Sequence, residues 1–268
     1  MSGTTATNSG NTILNGDLGV WPGTAITGFG PGPGLLGPGI VNGSQYVGPG
    51  PGPAAAAQTS LTSAYNSLAG LACGTNLTGS DLGGLILNPG VYCFSSNAQL
   101  TGNLRLNEQG FDNQEFVFQI GTSLTTGTNA AVIQINQGPG GVSNNNIFWQ
   151  VGSSATLGTG TQFFGDIVAL SSISFNTGAA ISCGAALARN GAVSLLSNTI
   201  TSNSQARCSS VNVVPEPSSL ILLFFGLISL GFLGRPKRRQ HLGCEHGCRL
   251  YGIAQYPLPH RVAPPAHV

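Results

Sequence analysis

Side chains able to do chemistry are unevenly spread along this chain. All four histidines, His241, His246, His260 and His267, lie beyond residue 240. The preceding residues therefore carry no imidazole to serve as a general base or metal ligand. Cys244-Glu245-His246-Gly247-Cys248 has metal-binding residue types but lacks the second ligand pair that a structural zinc site requires. Asp17 and Asp81 follow Gly16 and Ser80 at turn-like positions, where a carboxylate caps backbone N–H groups. Glu108, Asp112 and Glu115 cluster in sequence and read as a solvated acidic loop. A carboxylate-pair glycosidase is the competing reading, and only geometry can separate the two. No catalytic residue, no metal site and no cofactor is expected. What remains is a large stock of serine and threonine hydroxyls set beside apolar residues, a pattern that suits surface recognition better than reaction.

The elements that would carry those hydroxyls are short. Between residues 82 and 201 the chain alternates brief apolar segments with Gly, Asn and Ser. Glu115-Phe116-Val117-Phe118-Gln119-Ile120, Ile147-Phe148-Trp149-Gln150-Val151, Asp166-Ile167-Val168-Ala169-Leu170 and Ile173-Ser174-Phe175 are typical. Such runs read as strands bounded by turns. No strict repeat is visible, which argues against a regular hexapeptide solenoid and leaves irregular β-helix coils or a β-sandwich. Residues 28–53 are rich in Gly and Pro and read as a long surface loop. Residues 54–71 are the one convincing helix: Pro53 can precede its first turn, and Leu61, Ala64, Tyr65, Leu68 and Leu71 form a stripe at helical spacing.

Composition narrows the function classes. Only 6% of residues are charged, against about 25% in average soluble proteins, while 41% are hydrophobic. A core is affordable, and the surface must be built from uncharged polar residues. Before residue 210 the only cations are Arg105, Arg189 and Arg207. No basic stripe exists there to neutralise phosphates, so nucleic acid is not an expected partner. Cys73, Cys93, Cys183 and Cys208 form two close sequence pairs, and Cys73–Cys93 with Cys183–Cys208 is the preferred disulfide pattern. Three connectivities are open to four cysteines, and buried free thiols are the alternative.

The C-terminal region has its own organisation. Residues 202–214 form a polar linker. Val214-Pro215-Glu216-Pro217 then leads into an uncharged apolar run, expected as a membrane helix over 219–234, followed by Arg235-Pro236-Lys237-Arg238-Arg239. The run lies at the short end of the range that spans a bilayer, and the basic cluster fits a cytoplasmic anchor. Pro215, Glu216 and Pro217, then Leu220–Leu233, then Arg235, Lys237, Arg238 and Arg239 resemble, in order, the three parts of a PEP-CTERM sorting signal over 215–239. The resemblance implies a Gram-negative exopolysaccharide producer and an exosortase-type processing enzyme. It also implies membrane anchorage before processing and a cell-surface or extracellular mature domain, with exopolysaccharide as a further partner. Such signals usually end soon after the basic cluster, so residues 240–268 are an unassigned tail. Met1-Ser2-Gly3-Thr4-Thr5 shows no signal-peptide pattern, and a start codon further upstream would reconcile this with export.

A second resemblance covers the body. Gly16–Phe29 (GDLGVWPGTAITGF), Asp81–Leu85 with Pro89-Gly90-Val91-Tyr92, Phe116–Gly121, Phe148–Ala155, Ala186–Arg189 and Gly191-Ala192-Val193 are similar, collinearly, to the ice-binding-like family, over a domain placed at 1–201. That likeness implies an all-β fold with one long helix. The expected form is an irregular right-handed β-helix (β-solenoid) with the helix packed alongside, plus the C-terminal membrane helix. Its partner would be ice or ordered water, met by a flat Ser/Thr-bearing face. With Ile173 and Phe175 inward, Ser172, Ser174 and Asn176 point outward. With Ala155 and Leu157 inward, Ser154 and Thr156 do the same, and Thr199 and Thr201 are further candidates. No Thr-x-Thr ladder is evident, and Thr159-Gly160-Thr161 reads as a turn. The competing function is a non-catalytic exopolysaccharide-matrix or adhesion protein on the same fold. Trp21 or Tyr46 would line a glycan groove in that case, and Trp149 belongs to the core.

Overall fold

A computed structural model describes residues 1–30, 37–139 and 146–202. Within them the molecule is mostly β, with parallel sheets and one helix. The chain winds repeatedly through three sheets. Ile147–Val151, Ala155–Leu157 and Gln162–Phe164 make one coil; Asp166–Ala169, Ile173–Phe175 and Ala180–Ser182 the next; Ala186–Ala188, Val193–Leu195 and Thr199–Thr201 a third. Each coil thus gives one strand to each sheet, and successive coils pair in parallel. Parallel pairing allows strands of three to five residues, because every strand is held by both neighbours and by the interior side chains. Coils begin unevenly, at Phe116, Ile147, Asp166 and Ala186, so the three-sheet period does not appear as a sequence repeat.

The winding order is not the stacking order. In the second sheet the strands run Ala98–Leu100, Leu124–Thr126, Ala155–Leu157, Ile173–Phe175, Val193–Leu195, then Thr5–Asn8 and Ala25–Thr27. The N-terminal coil therefore sits directly on the coil ending at Thr201, with Ala6 opposite Val193 and Ile13 opposite Thr199.

Alternation builds the interior. Leu124, Ala155, Leu157, Ile173, Phe175, Val193 and Leu195 all point inward and are buried. Facing them from the first sheet, Tyr92, Phe118 and Trp149 stand in register on neighbouring strands. The Phe118 and Trp149 rings stack with centroids 3.8 Å apart and planes within 6°. Trp149 is fully buried, and its indole N–H donates to the Phe164 carbonyl at 3.0 Å, so its one polar atom is satisfied inside the core. Glycine is required where coils touch at turns. Gly28 has φ +79°, and a Cβ there would lie 1.8 Å from the Asn8 carbonyl oxygen.

Helix α1 (Pro53–Ala69) lies against the first sheet, touching Phe116–Ile120, Ile147–Val151 and Asp166–Ala169. It ends two residues before the expected Leu71, because Gly70 closes the last turn on Asn66 O at 3.0 Å. Gln119 of the underlying strand donates to Leu68 O and Leu71 O at 2.7 and 2.8 Å, satisfying carbonyls that a helix end leaves open. Gln58 donates to Arg189 O, and the Arg189 guanidinium lies 5.5 Å from the Tyr65 ring centroid. Cys73 and Cys93 form the expected disulfide, with Cα atoms 5.8 Å apart. Cys183 is disulfide-bonded; Cys208 lies outside the described residues, as do the linker, the sorting motif with its expected membrane helix, and the tail from 240 to 268.

Candidate functional site

One outward column of the second sheet is continuous. Gln99 pairs with Thr125, Thr125 with Thr156, Thr156 with Ser174, Ser174 with Ser194, Ser194 with Thr7 and Thr7 with Thr27. Each of these residues except Thr27, which follows buried Ile26 and precedes the turn at Gly28, sits between buried neighbours, so strand alternation turns its side chain to solvent. Parallel strands lie about 4.7–4.9 Å apart, and the column is therefore a ruled ladder of small hydroxyls ending in one amide. Four of its rungs are threonines, which pair a methyl with each hydroxyl. Neighbouring rungs are close enough to bond to each other: the Thr7 hydroxyl donates to Ser194 Oγ in a long hydrogen bond of 3.4 Å.

No charged side chain stands among these rungs. The ladder is closed below by Asp81, which bridges to Gln99. That carboxylate is turned onto the backbone: Oδ1 accepts the N–H groups of Gly83 and Thr101 at 2.7 and 2.9 Å, and Oδ2 accepts the Thr101 hydroxyl. Partial burial pushes its pKa up, but the bonds from Thr101 and Gly83 outweigh this and hold it below the usual carboxylate value. Asp17 also serves backbone, accepting the Ser44 N–H of the neighbouring coil at 2.8 Å. Both aspartates are thus turn and coil fasteners, as their positions in sequence suggested.

The residues singled out from sequence fall into four groups. Thr156 and Ser174 are adjacent rungs. Ser154 and Ser172 lie at the corner two residues earlier, half-buried, and their hydroxyl oxygens accept N–H groups from the next coil. Ser154 Oγ accepts from Ser172 N at 3.3 Å and Ser172 Oγ from Ala192 N at 3.1 Å. Asn176 is exposed just past its strand, and its backbone carbonyl accepts the Asn198 side chain at 2.8 Å. Thr199 and Thr201 stand apart from the others, on the third sheet. Ser197, with φ +53°, turns the chain there. Asn198 fixes that corner by donating to Asn176 O and Ala179 O at 2.8 and 2.9 Å. Alternation alone gave their outward direction but not their sheet. Thr159-Gly160-Thr161 is a turn, with Gly160 at φ +69° and Thr161 buried against Thr126 at 2.7 Å.

Sequence reasoning passed over Gln99, Thr125, Ser194, Thr7 and Thr27. The signal was present in Leu124-Thr125-Thr126, Val193-Ser194-Leu195 and Ala6-Thr7-Asn8, each an outward hydroxyl between buried residues. What hid it was the stacking order, which puts Thr7 beside Ser194 although they are far apart in sequence.

The acidic loop holds a buried group. Glu108 is 2% exposed and accepts Gln134 Nε2 at 2.5 Å. Burial, then the negative charge of Asp112, raises its pKa. Among the described residues no group of three or more His, Cys, Asp or Glu is placed to hold a metal ion. Asp166, in the helix-bearing sheet, is pushed up to about 6 by burial, partly offset by a backbone hydrogen bond at Ala185.

Comparison with known proteins bears on this geometry. A family model described as ice-binding-like matches residues 1–201, and one described as a PEP-CTERM protein-sorting motif matches residues 213–239. The chain is 47% identical over 241 residues to an ice-binding protein of Nostoc sp. (strain HG1), covering 90% of this chain and 84% of that one. It is 32% identical over 217 residues to ice-binding protein 1 of Shewanella frigidimarina (strain NCIMB 400), covering 73% of this chain and 24% of that protein. Among solved structures, an ice-binding protein from an Antarctic biological consortium superposes with a TM-score of 0.66 at 39% identity, covering 75% of this chain and 85% of that one. The ice-binding protein of Antarctomyces psychrotrophicus gives 0.67 at 34% identity, with 76% and 94% covered.

Proposed function

This chain belongs to the ice-binding-like family, and from that premise we propose that it adsorbs to ice through the Gln99-to-Thr27 ladder of its second sheet. The observation that carries the reading is the unbroken register of that column, rung to rung, across coils distant in sequence. A crystal face offers a repeating array of water oxygens and no pocket. The protein must answer with a repeating array of its own, held rigid before contact so that little ordering entropy is lost on binding. The stacked coils fix the rungs, and the stacked aromatic interior fixes the coils. Threonine methyls leave water few ways to solvate them, while neighbouring hydroxyls hydrogen-bond that water in place, so that it joins the ice layer as a bridge. A charged rung would hold its own hydration shell and break the layer, and this surface keeps charge off the column.

Ser154 and Ser172 support the ladder in this reading by tying each corner to the next coil, and Asn176 lies at its margin. Thr199 and Thr201 belong to a face that takes no part. The finer features expected from sequence also belong here: right-handed winding, a membrane helix at 219–234 and exosortase-type processing at the motif matched over 213–239. Together they make the body an exported domain sorted to the cell surface.

The test is thermal hysteresis and ice recrystallisation inhibition on purified residues 1–210, beside a Thr156→Tyr, Ser174→Tyr double variant and a Gln162→Tyr variant on the third sheet. Loss of activity in the double variant with retention in Gln162→Tyr supports the assignment. Activity untouched by the double variant moves the face elsewhere. Inactivity of a well-folded parent domain removes the ice reading altogether.

A further inference from the structure

The outer face of the third sheet is apolar at both ends. At one end Ile13 pairs with Ile40. At the other, Ile86 pairs with Arg105 and Arg105 with Ile133. The Ala131–Gln162 rung brings Phe164 level with Ile133, two residues on. Alternation turns all of these side chains outward. Ile13, Ile40 and Ile86 are 39, 49 and 58% exposed, and Ile133 and Phe164 are half-buried. Between the two ends the outward residues are small or uncharged, Ala180 and Thr199 among them. Arg105 is exposed between its isoleucines, and no outward position on these strands carries a carboxylate.

The exit of the chain selects what meets this face. The first sheet is covered by α1, and the second carries the hydroxyl ladder. Thr199–Thr201, the final strand of the described residues, belongs to the third sheet, with Thr199 beside Ile13 and Thr201 beside Asn15. Residues 202–212 then precede the sorting-motif match, which begins at residue 213. Eleven residues reach about 40 Å at full extension. That is about the length of a nine-stranded sheet with strands about 4.8 Å apart. A tether of this reach keeps the face at high local concentration beside the surface that holds its far end.

We propose that the third sheet is a membrane-resting face, which lies on an anionic lipid surface with Ile13, Ile40 and Ile86 at the boundary of headgroups and acyl chains. The inference rests on the membrane anchorage proposed above. Isoleucines at both ends let a rigid face lie flat, and their transfer out of water favours contact. Arg105 meets the headgroup phosphates, whose oxygens suit its planar guanidinium, while its stem lies along apolar surface. The tether removes most of the entropy loss of bringing face and lipid together, so a few such contacts suffice. The ladder stands on another sheet and stays in water.

The test uses the full chain reconstituted in dioleoylphosphatidylglycerol vesicles, with and without bromine on the acyl chains. Three variants are compared: Ile86→Trp, Ile40→Trp and, on the ladder, Thr156→Trp. Bromine quenches indoles at acyl depth, and subtraction of the parent removes the emission of Trp21 and Trp149. The emission added by Ile86→Trp and Ile40→Trp should fall at least twofold in brominated vesicles, while that added by Thr156→Trp holds. Quenching at only one third-sheet site supports the face, tilted onto that end. Equal quenching at all three sites, or at none, in a chain that floats with the vesicles would overturn the face and leave the anchorage standing. A chain that does not float with them overturns both. Emission from Ile86→Trp that follows the protein-to-lipid ratio and not bromine would overturn the proposal in favour of a second copy on this sheet.

Discussion

The second and third sheets come from the same coils by the same alternation, yet their outer faces differ. The second presents Gln99, Thr125, Thr156, Ser174, Ser194, Thr7 and Thr27 in one file. The matching file on the third runs Asn103, Ala131, Gln162, Ala180, Thr199, Ile13 and Ile40. Beside it, Arg105 stands between Ile86 and Ile133. Backbone regularity is shared; chemical regularity is not. Strand stacking makes any outward position a ladder, and only choice of side chain makes a ladder a lattice. The third face mixes amide, methyl, isoleucine and a cation, and its rungs differ in length and hydration, so they present no common plane.

That contrast can be broken most severely by charge. Ser194→Lys, inside the ladder between Ser174 and Thr7, is expected to remove nearly all hysteresis, while Ala180→Lys on the third sheet leaves it intact, with both melting near the parent. Equal losses from the two would mean that the faces do not differ in function. A gentler change sharpens the contrast. Ser174 and Ser194 interrupt the threonines, so Ser174→Thr with Ser194→Thr makes the methyl column continuous from Thr125 to Thr27 and should raise hysteresis. The same measurement on an Ala180→Thr, Gln162→Thr pair should show no gain.

Carboxylates outside the run of hydroxyl rungs should act mainly on stability. Asp166 has its pKa raised to about 6, against about 3.9 in an unfolded chain. The folded state therefore holds its proton more tightly, and stability falls as pH rises from about 4 to 6, then levels. Asp166→Asn should raise stability at pH 7 by about 2 kcal/mol, leave it unchanged at pH 4, and leave hysteresis alone. Denaturant titrations at the two pH values check this. Asp81 carries the opposite sign. Its lowered pKa means that its contribution is present above the unfolded value and is lost as pH falls through the folded one. Asp81→Ala should cost about 1 kcal/mol at pH 7, discounted because the carboxylate is mostly exposed, and nothing once the parent is itself protonated. Placed at the foot of the ladder, it should trim hysteresis slightly at most.

Local order was legible in the residues themselves. Helix α1 followed from Pro53 and the spacing of Leu61, Ala64 and Leu68, and Gly70 shortened it by closing the turn. The turn roles of Asp17 and Asp81, the Cys73–Cys93 pairing and the interior place of Trp149 were equally readable, since each depends on near neighbours or on burial preference. Inward and outward directions were readable too, because the strand period of two is a property of the backbone. Which outward residues share a face was not. That depends on the corners, where Asn198 and the positive φ of Ser197 send Thr199 to the third sheet, and on the return of the N-terminal coil onto Val193–Leu195. The sequence by itself determined a mostly β, charge-poor chain with hydroxyls facing out. Only the tertiary structure set Thr7 beside Ser194 and joined scattered hydroxyls into one ruled column, because parallel stacking brings together residues that no local rule relates.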